Sequence, residues 1–209
     1  MMKILVGLLL LSISSYAENL CSVHKFDEFS TFAKGIDRDE HSLCYENTIR
    51  QFGMEIDASY IYLSLGAYCA QDVVNRPGFA DFFFKAAKTE REHAKKLFKY
   101  LFISNHLNKI SPLMGKLYKT DRIGNGFDVF TIALELEEKM TQSIRELIKS
   151  CETDNKKSNI VGWLTNVYLE EHLHSIRDIA GKLSQLEKMG SESLSEFLFD
   201  KELNLKNIK

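Results

Sequence analysis

The sequence predicts an all-α domain: four long helices packed as a bundle, one long crossover between the second and third, and a short fifth helix at the C-terminal end. Three observations carry that prediction. Apolar residues recur at three- and four-residue spacing along four separate segments. Only 2 prolines occur in 209 residues, so helices can run without interruption. The period fails for one long stretch, residues 104–126, where Pro112, Gly115, Gly124 and Gly126 fall together.

The chain opens on Met-Met-Lys, runs almost continuously apolar from Ile4 to Leu11, and then reaches Ser14-Ser15-Tyr16-Ala17. This is the pattern of a secretory signal peptide over residues 1–17, cleaved after Ala17. The apolar stretch falls well short of the ~20 residues a membrane span needs, which disfavours an anchor. The mature protein, one domain over residues 18–209, is expected to be secreted or in the secretory pathway. Its charge of -2, from 27 basic and 29 acidic residues, excludes the basic field that collects nucleic acid or anionic lipid.

The first helix, α1, is expected over residues 41–68, with Ile49, Phe52, Ile56, Ser59, Leu63 and Gly66 as its inward stripe. Asn75-Arg76-Pro77-Gly78 is a turn signal, and α2 follows over residues 79–103 through Phe79, Phe82, Phe83, Ala86, Glu90, His93, Leu97 and Leu101. The aperiodic stretch after it is long enough to run the length of a bundle. α3 is expected over residues 127–150, with Phe130, Ala133, Leu134, Glu137, Met140, Ile144 and Leu147 inward, and then a polar turn over 151–158. α4 is expected over residues 159–188 through Leu164, Val167, Tyr168, Glu171, His172, Ser175 and Ile179, stopped by Gly190. Ser191 would cap α5, residues 192–203.

Polar residues interrupt these stripes. Glu55, Glu90 and Glu137 fall on core-facing positions of three helices, and His93 follows Glu90 by three residues. A buried unpaired carboxylate costs several kcal/mol, so three converging in one interior imply a multivalent cation that holds them ionised. Glu-x-x-His sets both side chains within about 60° on one helix face, and further glutamates on neighbouring helices complete a di-iron ligand set. Carboxylates suit hard cations and imidazole suits ferrous iron as well. Tyr62, seven residues and about 10 Å beyond Glu55, lies on nearly the same face, within reach of a ligand from a neighbouring layer. Glu-x-x-His also occurs on solvated helices, and α3 offers Glu135 and Glu138 beside Glu137, so a change of register would carry the site to solvent.

The four cysteines, Cys21, Cys44, Cys69 and Cys151, are too scattered for a zinc site. In an oxidising compartment they read as disulfides with one free thiol.

Three runs resemble the first three helices of ferritin heavy chains: Glu55-Ile56-Asp57-Ala58-Ser59-Tyr60-Ile61-Tyr62-Leu63-Ser64, Glu90-Arg91-Glu92-His93-Ala94-Lys95-Lys96-Leu97 and Ala133-Leu134-Glu135-Leu136-Glu137. Asp72-Val73-Val74-Asn75-Arg76-Pro77-Gly78-Phe79 and Phe197-Leu198-Phe199-Asp200-Lys201 resemble the secreted heavy-chain ferritins of insects. The similarity covers essentially the whole mature chain. It implies a ferritin-like four-helix bundle, a hollow cage of 24 subunits, and a ferroxidase that oxidises Fe(II) with dioxygen and stores Fe(III) mineral. By the resemblance, Glu55, Glu90 and His93 bind the first iron, Glu90 bridges, Glu137 binds the second, and Tyr62 supports the centre.

Departures from the family pattern are informative. His172 stands where glutamine is usual on α4, as a direct ligand of the second iron or as the holder of its water. Glu171 and His174 form a second Glu-x-x-His, but the stripe turns His174 outward and favours His172. Gly162 and Thr165 occupy positions where acids usually line the threefold iron channel, and Thr89 and Lys95 replace acids that often seed mineral, leaving Glu92. A subunit that oxidises better than it nucleates suits a mixed cage with a light-type ferritin partner. In a bundle with one long crossover the start of α1 and the end of α3 share an end, so Cys44 and Cys151 are expected to bond, leaving Cys21 for another subunit and Cys69 inert. The competing functions are a non-catalytic storage or carrier subunit, and a di-iron oxygenase, for which the sequence offers no sign of an apolar access pocket.

Overall fold

The structure, a computed structural model, describes residues 42–103, 118–121, 123–153, 158–190 and 193–207. The signal-peptide segment, Cys21, Pro112, Gly115 and the expected cap Ser191 lie outside the described residues. Among those described there are helices and no strand.

Ser42 begins the first helix. Its hydroxyl accepts from the Tyr45 backbone N–H at 3.3 Å, satisfying one of the orphan donors at a helix start, and α1 runs Leu43–Ala70. The predicted turn follows, with Asn75 in the left-handed region at φ 50°, which asparagine tolerates. Pro77 then opens α2, Pro77–Ile103, where its missing N–H costs nothing. α3, Gly126–Glu152, starts with a capping box: the Asn125 side chain accepts from Asp128 N–H, and Asp128 accepts from the Asn125 backbone.

α4 is continuous but not uniform. It has an α-helical start at Ser158–Trp163, a π-helical turn at Leu164–Leu169, and a long α-helical run at Glu170–Met189. Sequence periodicity gave no sign of the π turn. Gly190, at φ 85°, ends the helix in a conformation that favours glycine. α5, Ser193–Asn207, closes the described chain.

Contacts set the directions. Cys44 at the start of α1 is disulfide-bonded to Cys151 at the end of α3, with Cα atoms 4.5 Å apart, so those two helices are antiparallel. The short turns between α1 and α2 and between α3 and α4 make each pair antiparallel too. The described residues just before α3 lie along α1, where the Tyr118 N–H donates to Ser64 Oγ at 3.0 Å and the Tyr68 hydroxyl donates to the Ile123 carbonyl at 3.0 Å.

α5 locks the opposite end from the disulfide. Its Asp200 accepts the Phe79 N–H at 2.9 Å, and its Glu196 accepts the Gly126 N–H at 2.9 Å and Arg76 Nε–H at 2.8 Å. One short helix thus lays two carboxylates on the N-termini of α2 and α3, where the helix dipole favours negative charge. Gly78 makes room for it, since a Cβ there would lie 2.1 Å from the Asp200 carbonyl oxygen.

The inward face of α1 differs from the predicted stripe. Ser59 and Gly66 of that stripe are buried, but Ile49, Phe52, Ile56 and Leu63 are only half-buried, whereas Thr48, Gln51, Glu55, Ala58, Tyr62 and Leu65 are buried. Polar residues occupy the centre of that face and large apolar ones its flank, so hydrophobicity alone marks the flank. On α2 and α3 the expected inward residues are buried or half-buried.

Two apolar clusters fill the bundle. One, towards α5, gathers Phe79, Phe83, Phe130, Leu65, Ile179 and Phe199, with the Phe79 and Phe130 rings edge to face at 5.1 Å. The other, around the disulfide, gathers Leu97, Ile144, Leu147, Ile160, Leu164 and Tyr168. Each of the four long helices passes from one cluster to the other, and between them each contributes a buried polar residue.

The Cys44–Cys151 bond spans a sequence separation of 107, so it restricts the unfolded chain strongly. Replacing both cysteines by serine is expected to cost about 3–5 kcal/mol. Urea unfolding of the double variant beside the unaltered protein measures this; coincident curves would show that the bond adds no stability.

Candidate metal centre

The polar layer draws on all four long helices. Glu55 comes from α1, Glu90 and His93 from α2, Glu137 from α3 and His172 from α4, and all are almost completely buried. Of the neighbouring acids on α3, Glu135 and Glu138 are exposed, so the register places Glu137 inside. Glu55, Glu90, His93 and His172 each offer a ligand atom, and these atoms lie within 4.8 Å of one another. His174, by contrast, is 79% exposed.

Around this cluster the oxygens and nitrogens are already oriented. Gln51 Nε2 donates to Glu55 Oε1 at 2.9 Å, leaving Glu55 Oε2 buried and without a hydrogen-bond partner. His93 Nδ1 lies 3.1 Å from Glu90 Oε2 and 3.7 Å from Glu55 Oε2. His172 Nδ1 lies 2.8 Å from Glu137 Oε2, while its Nε2, 3.7 Å from Glu55 Oε1, is also an orphan. The Tyr62 hydroxyl donates to Glu137 Oε1 at 2.5 Å. Buried polar atoms are normally paired, so orphan donor atoms on Glu55 and His172 fit a cation between them.

Protons balance the charge where cations would otherwise do so. Burial alone would push both imidazoles down, but Glu55 and Glu90 raise His93 to about 10, and Glu137 with Glu55 raises His172 to about 11. Burial lifts the Glu90 carboxyl to about 8, helped by the charges of Glu55 and Glu137 and opposed by His93. Burial opposes ionisation of Glu55 as well, but His172 and His93 outweigh it and hold that carboxyl below its usual range. Burial, then the Glu137 charge, pushes the Tyr62 phenol up, so it remains a donor.

Matches to known proteins agree with this layout. A family model described as the ferritin-like domain matches residues 47–186. The ferritin heavy chain of Drosophila melanogaster is 43% identical, over 97% of this chain and 100% of its own. This chain belongs to the ferritin family. The ferritin heavy chain of Trichoplusia ni is also 43% identical, over 78% of this chain and 80% of its own. The crystal structure of Trichoplusia ni secreted ferritin superposes with a TM-score of 0.74 at 40% identity, covering 88% of this chain and 96% of that one. The ferritin-like bundle expected from sequence is therefore the observed fold.

Of the departures from the family pattern, His172 lies in the layer and the others lie outside it. Gly162 and Thr165, near the start of α4, are exposed, as are Thr89 and Lys95 on α2. Glu92 is paired with Lys95 at 3.1 Å. Cys69 is buried and free, and burial pushes its thiol up to about 12, which makes it unreactive. Among the described helices none is long and apolar enough to cross a membrane.

Sequence reasoning missed Gln51, which lies one turn before Glu55 on the same face and was readable from that spacing. It also missed Glu171 as a partner of His93, because contacts between helices leave no mark in periodicity.

Metal and protons compete for the same atoms in this layer. With His93, His172 and Glu90 largely protonated at neutral pH, a divalent cation must release protons to bind, and raising the pH removes that competition. Cobalt(II) affinity is expected to rise about tenfold or more per pH unit between pH 6 and 8. Titrations at three pH values measure the slope, and a flat profile would place the cation elsewhere.

Proposed function

We propose that this chain is a secreted ferritin subunit that oxidises Fe(II) to Fe(III) with dioxygen at the buried layer and stores the iron inside a cage. The observation that carries the reading is the pair of orphan buried donor atoms, Glu55 Oε2 and His172 Nε2, within a cluster drawn from three of the four long helices and bordered by Glu137 of the fourth. Iron is the substrate here. Glu55, Glu90 and His93 hold one ferrous ion, Glu90 bridges, Glu137 holds the other, and His172 stands between the two sets.

In this reading each residue has a defined task. Gln51 holds one oxygen of Glu55 so that the other faces the first iron. Tyr62 donates to Glu137 and keeps that carboxylate from rotating. His172 has one ring nitrogen on Glu137 and the other, without a hydrogen-bond partner, 3.7 Å from Glu55 Oε1, which supports a place between the two sets of ligands. Two ferrous ions supply two electrons, dioxygen accepts both with two protons and becomes hydrogen peroxide, and both irons leave as Fe(III). The apolar clusters above and below the layer exclude bulk water.

The wider setting is proposed on other grounds. The leader over residues 1–17 and the similarity to a secreted ferritin support export. Family membership supports a 24-subunit cage, and the pairing of Glu92 by Lys95 supports a light-type ferritin subunit supplying the acids that Gly162, Thr165, Thr89 and Lys95 lack. Cys21 is left to bond another subunit, because Cys44 and Cys151 bond each other.

Initial Fe(II) oxidation in the assembled protein tests the reading. Glu90→Ala, which removes the bridging carboxylate, is expected to slow it at least about 100-fold. Equal rates in the two proteins would leave a non-catalytic storage subunit. Replacing His172 by Gln, which keeps a neutral polar group facing Glu137, is expected to retain the rate within about tenfold; complete loss would mean that the imidazole is indispensable.

A further inference from the structure

Building on the metal reading above, we infer that Glu171 is a positioning residue: it binds the outer nitrogen of His93 and thereby holds the inner nitrogen towards the metal. The His93 ring lies between two sets of carboxylates. Nδ1 faces Glu90 and Glu55, at 3.1 and 3.7 Å. On the opposite side Nε2 lies 2.5 Å from Glu171 Oε2, on α4.

The chemistry of imidazole makes the outer contact matter. A histidine that ligates through Nδ1 must carry its remaining proton on Nε2, and a strong acceptor at Nε2 selects that tautomer and makes Nδ1 a better donor. A carboxylate is such an acceptor, and a charge-assisted bond to it is about twice as strong as a neutral one. Glu171 meets this requirement from a second helix, so the ring is fixed from outside the metal layer.

Other contacts keep the two helices in register at this point. The Tyr168 hydroxyl donates to the backbone carbonyl of His93, and the two rings are 5.1 Å apart. Tyr168 belongs to the π turn of α4, and Glu171 follows just after it. π turns inside α-helices frequently mark functional sites. Lys96, one turn beyond His93 on α2, sits 3.4 Å from both Glu171 oxygens.

A surface ion pair is the competing explanation of Glu171. Its side chain is 43% exposed and that of Lys96 is 40% exposed, and exposed pairs of this kind contribute little. Yet the shortest contact of Glu171 is with the buried imidazole and not with the lysine. The alternative metal pair, Glu171 with His174, is not formed, since His174 is exposed and lies nearest Glu170 at 3.8 Å.

Cobalt(II) binding to the assembled protein without oxygen, followed by its visible absorption, tests the assignment independently of oxidation. Glu171→Leu, which removes the acceptor at a partly exposed position, is expected to weaken cobalt binding about 10- to 100-fold. Glu171→Gln, whose amide oxygen can accept the same N–H, is expected to stay within about threefold. Unchanged affinity in Glu171→Leu would overturn the role, as would equal weakening in both variants. His93→Ala separates the levels: if it abolishes cobalt binding while Glu171→Leu leaves the affinity unchanged, only the positioning role falls; if His93→Ala binds cobalt normally, the metal centre itself is wrong.

Discussion

Everything in this bundle is arranged around one electrostatic constraint: carboxylates and imidazoles buried together must neutralise one another or hold cations. Three glutamates and two histidines meet between two apolar layers, and each long helix supplies at least one of them. Without a metal, protonated His93 and His172 offset Glu55 and Glu137, and Glu90 retains its proton. The same groups that neutralise one another in the layer are those that iron would take over. Stability and metal uptake therefore draw on one set of atoms.

Such a layer works only if the helices cannot slide, and both ends of the bundle are fastened. At one end the Cys44–Cys151 bond joins α1 to α3. At the other, Asp200 and Glu196 of α5 receive the first N–H groups of α2 and α3, and Arg76 ties the turn to Glu196. A one-residue slip of any helix would turn its ligand about 100° away from the site. Between the fastened ends, hydrogen bonds donated by Gln51 and Tyr62 and accepted by Glu171 hold individual ligand side chains. This is the preorganisation that a catalytic metal layer requires.

The outer surface is less specialised. On the proposed reading, exposed Gly162 and Thr165 where acids are usual, and Glu92 already matched by Lys95, leave this subunit with weaker means of admitting iron and starting mineral than of oxidising it. That asymmetry suits a cage in which another subunit supplies acidic surface.

Much of this was legible in the chain itself. Apolar periodicity located the four long helices, and the Asn75 to Gly78 turn and Gly190 marked boundaries, because backbone stereochemistry is local. The interrupted stripes singled out Glu55, Glu90, His93 and Glu137, since a carboxylate on a core-facing position is anomalous in any fold. Tertiary structure decided what locality cannot express. It turned the polar face of α1 inward and left Ile49, Phe52, Ile56 and Leu63 on its flank, fixed the register that places Glu137 and not Glu135 or Glu138 inside, widened α4 into a π turn, and set Glu171 against His93. Each of these depends on which side chains meet across helices distant in sequence, and a distance between helices exists only after the bundle has closed.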